Sequence, residues 1–245
     1  MTKKFPNLTP EESKGIDKLI YKNALQLKKD ALLIAEARKS YSSATSLLIL
    51  SAEETIKSIL VLLHIEGYKV YKLKETHKFF FDHKIRHQIA QLIEMGSGLI
   101  ESMMKYDEQK PTKLLKTKVN WLNDLVNGFF DIVKAAEPLI GTVNKTMKLQ
   151  GFNDLKNKGF YVDFQNELLN PQVEVTEKIY KETLAITNRV FIFSKWLRIM
   201  HHSKLENHEG SEELKELKTS FKEFIDNHIT KISFKEMNKI MKEIN

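Results

Sequence analysis

The residues best suited to chemistry occur together in one short segment, Lys156-Asn157-Lys158-Gly159-Phe160-Tyr161-Val162-Asp163. Lys156 supplies a cation, Asn157 an amide beside it, and Tyr161 a hydroxyl five residues after the cation. Such a set can hold a phosphodiester, because the ammonium neutralises the phosphate while the phenol donates or accepts a proton. The phenol is a poor base near neutral pH, since its free pKa is about 10. The alternative is a tight turn in which Gly159 adopts a positive φ and the two aromatic rings pack on the rest of the protein.

A second group of charged residues interrupts the apolar stretch from Leu47 to Leu63. Glu53 and Lys57 are four residues apart in the orientation that favours an ion pair within one helix. Glu54 lies about 100° further round that helix, so at least one of these groups is expected to reach another helix. Because buried charges need partners, the group forms either a structural network or part of an active site.

The histidines offer a third candidate. His83 and His87 are one helical turn apart and could chelate a metal, as a metal-dependent bundle enzyme would require. The chain has no Cys and no supporting ligand motif, so we predict neither a metal nor a cofactor. His83 is better placed as a polar partner for Glu54 across a bundle. His201 and His202 are predicted to lie at the surface or to fill a polar position in the core.

Composition indicates a helical protein. Of the 245 residues, 42% are apolar and 29% charged, while only 9 Gly and 5 Pro argue against a turn-rich β-sandwich or barrel. The net charge of +7 permits nucleic-acid binding, although its even spread also fits an ordinary solvated surface. No apolar run approaches the ~20 residues that span a bilayer, and no secretory leader is apparent, so we expect a cytoplasmic protein without membrane association.

The helical elements follow from capping signals and apolar spacing. Thr9-Pro10-Glu11-Glu12 is a capping box that begins a helix predicted to run to about Arg38. The next helix, Tyr41 to Glu66, is apolar nearly all round and should occupy the centre of a bundle. The period fails from Leu149 to Pro171, which predicts an irregular segment of the kind that often carries function. Further helices are predicted over residues 76–106, from Thr112, over 175–205, over 211–228 and from Ser233.

Three ordered motifs carry a family resemblance. They are Ser-x-Glu-Glu-x-x-Lys at residues 51–57, Phe-x-x-His-Lys-x-basic around His83, and basic-x-x-Gly-aromatic-Tyr-Val-Asp at 156–163. Together they resemble the AbiV family, bacterial abortive-infection proteins that act against phage and are assigned to the HEPN superfamily of helical nucleic-acid-associated domains. The similarity covers roughly residues 10 to 170.

The resemblance implies an all-α, HEPN-like helical bundle, often dimeric, which we assign to residues 1–170. The motifs do not account for residues 171–245, which we expect to form C-terminal helices that pack on the bundle. The HEPN ribonuclease motif maps onto Lys156, Asn157 and Tyr161. Here Lys replaces the usual Arg and Tyr replaces the usual His, which removes the bidentate phosphate fork and the usual acid–base group. RNA cleavage and RNA binding therefore both remain open.

The remaining candidate site residues follow from the same resemblance. Glu54, Lys57 and His83 would lie near the Lys156 segment, either as helpers at the site or as the network that positions it, and Asp163 completes the set.

Two functions of different kinds fit these observations. The first is a phage-defence protein that interferes with translation or RNA, as a metal-independent endoribonuclease or as an RNA-binding protein. It would act as a homodimer, with a phage-encoded protein as a candidate activator. The second is a non-enzymatic helical module that binds a phage or host protein, in part through its C-terminal helices.

Overall fold

The computed structural model describes residues 3–72, 80, 152–165, 167–207 and 211–227. Seven α-helices lie within these ranges, together with 3₁₀ turns at Phe5–Asn7, Lys69–Lys72 and Ser203–Asn207. The helices are α1 (Pro10–Ser13), α2 (Ile16–Arg38), α3 (Tyr41–Ile65), α4 (Phe152–Phe160), α5 (Pro171–Glu174), α6 (Glu177–Met200) and α7 (Ser211–Asn227). The predicted all-α class is confirmed, with one small antiparallel hairpin added between α4 and α5. The helices predicted over 76–106, from Thr112 and from Ser233 lie outside the described residues, as do His83 and His87.

The N-terminal capping box forms as predicted. Thr9 Oγ1 accepts a hydrogen bond from the Glu12 N–H at 3.2 Å, and Glu12 Oε2 accepts one from the Thr9 N–H at 2.9 Å. The predicted single helix is divided, because Gly15 adopts a φ of +83° and ends α1 after one turn. The second part, α2, ends at Arg38 as the sequence indicates.

Helix α3 is buried on nearly every side, which confirms its predicted place at the centre of the bundle. Two of its serines face α2 and donate to backbone carbonyls of that helix, which satisfies their buried hydroxyl groups. Ser51 Oγ donates to the Ala24 carbonyl at 2.7 Å, and Ser58 Oγ donates to the Asp17 carbonyl at 2.8 Å.

Helices α6 and α7 contribute to the same hydrophobic core as α3. Buried apolar residues from the three helices form one cluster, which includes Ile56, Ile59, Ile186, Val190, Leu197, Met200 and Leu214. Arg198 adds a polar connection from α6 to α2 and α3, because its Nη1 donates to Asp17 Oδ2 at 2.6 Å and its Nη2 donates to Ser58 Oγ at 2.5 Å. None of the helices in the described ranges combines the length and the apolar character that a bilayer crossing requires.

The turn after α3 is held against the ends of α6 and α7 by a polar cluster. The Tyr68 hydroxyl lies 3.2 Å from His201 Nε2, and His201 Nδ1 lies 3.4 Å from Glu66 Oε2. Asp226 on α7 accepts the Lys69 N–H at 2.7 Å. Burial, together with the negative charges of Glu66 and Asp226, raises the pKa of the Tyr68 phenol. His201 therefore occupies a polar position within the core, one of the two placements predicted for it.

Candidate functional site

The segment predicted to be irregular begins as a helix. Residues 152–160 form α4, so the expectation that helical structure fails throughout Leu149 to Pro171 is wrong for this part. Lys156 and Gly159 lie on its buried side, whereas Asn157 and Lys158 are exposed. The chain then leaves the helix through exposed Tyr161 and Val162 and enters the hairpin.

Gly159 is required by close packing of α4 on α3. A Cβ at this position would lie 2.1 Å from Ser46 Oγ and 2.7 Å from the Ser42 carbonyl oxygen, well inside van der Waals contact. The Gly159 residue is helical, and the positive-φ glycines of the described residues are Gly15 and Gly67. The tight turn considered from the sequence is therefore wrong, and the lack of a side chain is what Gly159 contributes.

Two further contacts fix α4 on α3. Lys156 Nζ lies 3.7 Å from Glu53 Oε1, with side chains that are 11% and 2% exposed. Ser46 Oγ donates to the Lys156 carbonyl at 2.8 Å. The sequence predicted that at least one charged group of α3 reaches another helix, and Glu53 does so. The ammonium and the carboxylate thus neutralise each other at a buried helix interface.

The end of α4 presents aromatic and polar side chains to solvent. The Tyr161 N–H donates to the Asn157 carbonyl at 3.0 Å and so completes the last helical turn. The Tyr161 side chain is 68% exposed and Phe160 is 44% exposed, with their ring centroids 6.4 Å apart in an edge-to-face arrangement. The alternative in which both rings pack on the bundle is therefore wrong.

Asp163 begins the hairpin that follows. Strands β1 (Asp163–Gln165) and β2 (Glu167–Leu169) pair antiparallel, with Asp163 opposite Leu169 and Phe164 opposite Leu168. Leu168 is exposed, as are Val162 before the hairpin and Val173 after it. The surface next to Tyr161 therefore includes apolar as well as polar groups.

Glu54 and Lys57 form an ion pair with each other on α3, with both side chains about four-fifths buried. The sequence placed the partner of Lys57 at Glu53, one residue earlier. Among the described residues, one charge pair therefore lies within α3 and a neighbouring one joins α3 to α4. Lys156 occurs in the second pair, and the position of His83 relative to either pair falls outside the described residues.

Sequence reasoning missed the roles of Ser46 and Gly159 and the specific partner of Lys156. A partial signal was present, because a glutamate in the middle of an apolar helix requires a cation from elsewhere in the fold. Because residues 149–171 were predicted to be irregular, the sequence did not indicate that the Lys156 side chain faces α3. Within the described ranges, no group of three or more His, Asp and Glu residues is arranged to hold a metal ion.

The helical bundle around α3, with the motif residues Lys156 and Asn157 on α4, is the arrangement that the resemblance to the HEPN superfamily implies. The family model described as AbiV matches residues 12–191, which is well over half of the chain, and the protein belongs to this family. The match extends beyond α4 and the hairpin into α6. No curated protein and no solved structure matches the chain significantly. Membership of the AbiV family is consistent with abortive-infection defence against phage.

Proposed function

We propose that this protein blocks phage propagation by acting on RNA or translation through the surface at the end of α4. Family membership supports the defence role. The observation that supports the site is the exposure of Asn157 and Tyr161 at the end of α4. The contacts of Glu53, Ser46 and Gly159 hold this helix in place on the bundle. A binding or catalytic group acts best when rigid elements hold it in place.

The catalytic form of this proposal is metal-independent RNA cleavage, in which a ribose 2′-OH attacks the adjacent phosphodiester. Tyr161 is exposed to solvent and could move a proton in that step. Asn157 and Asp163 complete the proposed site, and Lys156 positions it through its buried pair with Glu53. Glu54, Lys57 and His83 form the surrounding network. In the proposed homodimer two such sites act in the cytoplasm, and a phage-encoded protein activates them.

A second function has its own supporting observation. Phe160, Val162 and Leu168 expose apolar surface next to Tyr161, and exposed aromatic and aliphatic residues are typical of protein interfaces. A non-enzymatic module that binds a phage or host protein would use this surface without any proton transfer.

The deciding experiment compares wild-type protein with Tyr161→Phe, which keeps the ring and removes the hydroxyl. Cells expressing each protein are challenged with phage, and growth and total RNA integrity are followed. Tyr21→Phe is the matched control, because this tyrosine lies on α2 in contact with Phe191 and Arg198 of α6. RNA fragments that appear with wild type and the control, and vanish with Tyr161→Phe, support cleavage at this site. Intact RNA with full protection from both proteins contradicts the ribonuclease and favours the binding module.

A further inference from the structure

The two lysines of α4 differ in what they can reach. The Lys156 ammonium lies 3.7 Å from the Glu53 carboxylate in a position that is almost fully buried. A phosphate could bind there only by displacing Glu53 and entering between α3 and α4. Lys158, two residues later, is exposed. Residues two apart on a helix are related by a rotation of about 200° round its axis, so they point in nearly opposite directions. Of the two lysines, Lys158 is therefore the one that faces solvent.

Lys158 shares its face of the helix with two other groups of the site. Asn157 lies one residue before it and Tyr161 three residues after it, and the hydrogen bond from the Tyr161 N–H to the Asn157 carbonyl keeps all three in helical register. Their directions fall within about 100° of arc on an ideal helix. An amide, an ammonium and an aromatic ring therefore project together from one exposed surface.

We propose that Asn157, Lys158 and Tyr161 form a binding surface for single-stranded RNA, in which Lys158 contacts the phosphate; this inference rests on the proposed RNA function. Single strands are recognised by stacking unpaired bases on aromatic rings, with cations tracking the backbone and amides bonding to base edges. A duplex keeps its bases stacked inside and offers no face to Tyr161. Lys156 instead serves to anchor α4 on α3.

The test measures binding of a fluorescein-labelled, unstructured single-stranded RNA of 12 nucleotides, by anisotropy, at several salt concentrations. Lys158→Ala should weaken binding and lower the salt dependence by about 0.7 in log–log slope, the value for one phosphate contact on a single strand. Tyr161→Ala should weaken it roughly 5- to 150-fold through lost stacking, while Tyr161→Phe should bind like wild type. Lys195→Ala, which removes an exposed lysine from α6, is the matched control and should leave binding unchanged.

The outcomes separate this inference from the proposed function. If wild-type protein binds the RNA and Lys158→Ala binds it equally well with an unchanged salt slope, the assignment of Lys158 is overturned while the RNA function stands. If the wild-type protein binds neither the single strand nor its duplex, the RNA function itself fails and a protein partner takes its place.

Discussion

Replacing Glu53 by Gln should destabilise the protein more than any single change at an exposed charge. The substitution removes the carboxylate that lies 3.7 Å from the Lys156 ammonium, whose side chain is 11% exposed. At an effective dielectric constant of about 20, two unit charges 3.7 Å apart attract each other by about 4.5 kcal/mol. Removing one partner of a buried pair typically costs about 3–5 kcal/mol, because the other charge stays desolvated. We therefore expect a loss of about 3–5 kcal/mol in the free energy of unfolding.

The assay is urea unfolding followed by circular dichroism, for Glu53→Gln, Lys156→Met and the double variant. Replacing a whole buried pair is often close to neutral, so the double variant should recover most of the stability that Glu53→Gln loses. The two positions should then show a coupling energy of at least about 2–3 kcal/mol, because either single change leaves one buried charge behind. Glu212→Gln is the control, because Glu212 pairs with Lys215 at a site where both side chains are largely exposed. A Glu53→Gln protein as stable as Glu212→Gln would refute the buried-pair reasoning.

Two further predictions concern close packing and alkaline pH. Gly159→Ala should destabilise the protein by about 1–3 kcal/mol in urea unfolding, because the new Cβ would overlap Ser46 and the Ser42 carbonyl. This cost should exceed the gain from the higher helix propensity of Ala. Unchanged stability would contradict the close approach of α4 to α3. Burial, and then nearby charges such as Glu66, raise the pKa of the Tyr68 phenol in the folded protein above its value of about 10 in the unfolded chain. The stability that this shift contributes is present at neutral pH and should be lost as the pH rises above about 10. Unfolding free energies measured from pH 8 to 11 should therefore fall more steeply for wild type than for Tyr68→Phe, and parallel curves would contradict the assignment.

Long amphipathic or fully apolar helices were the most predictable part of the fold. The Thr9 capping box, the end of α2 at Arg38 and the buried character of α3 all follow from local rules that involve residues within one or two turns. The long helix α6 was also predicted, although its bounds are shorter than expected at both ends. The Gly15 break was not predicted, because the capping box at Thr9 was assigned to the same helix as the apolar spacing that begins at Ile16.

The region around the candidate site was the least predictable. Gly159 and the asparagines indicated a loop, since these residues are poor helix formers. Tertiary contact reverses that preference, because the same missing side chain lets α4 lie against Ser42 and Ser46 of α3. The hairpin was missed for a related reason, as its strands have only three residues each and give too short a pattern to recognise.

The helical conformation of residues 152–160 decides which lysine can contact a phosphate near Tyr161. In an irregular segment, Lys156 and Lys158 are equivalent cations near Tyr161, and the family motif selects the first of them. Once the segment is helical, the two lysines point to opposite sides, and the structure gives the first to Glu53. A Lys that pairs with a buried carboxylate does not require the five-donor fork of Arg, so the departure from the Arg of the HEPN ribonuclease motif is compatible with an anchoring role at this position. The question of whether the protein cleaves RNA then depends on Tyr161 and its exposed neighbours, and a loss of activity on changing Lys156 would by itself be no evidence for a phosphate contact.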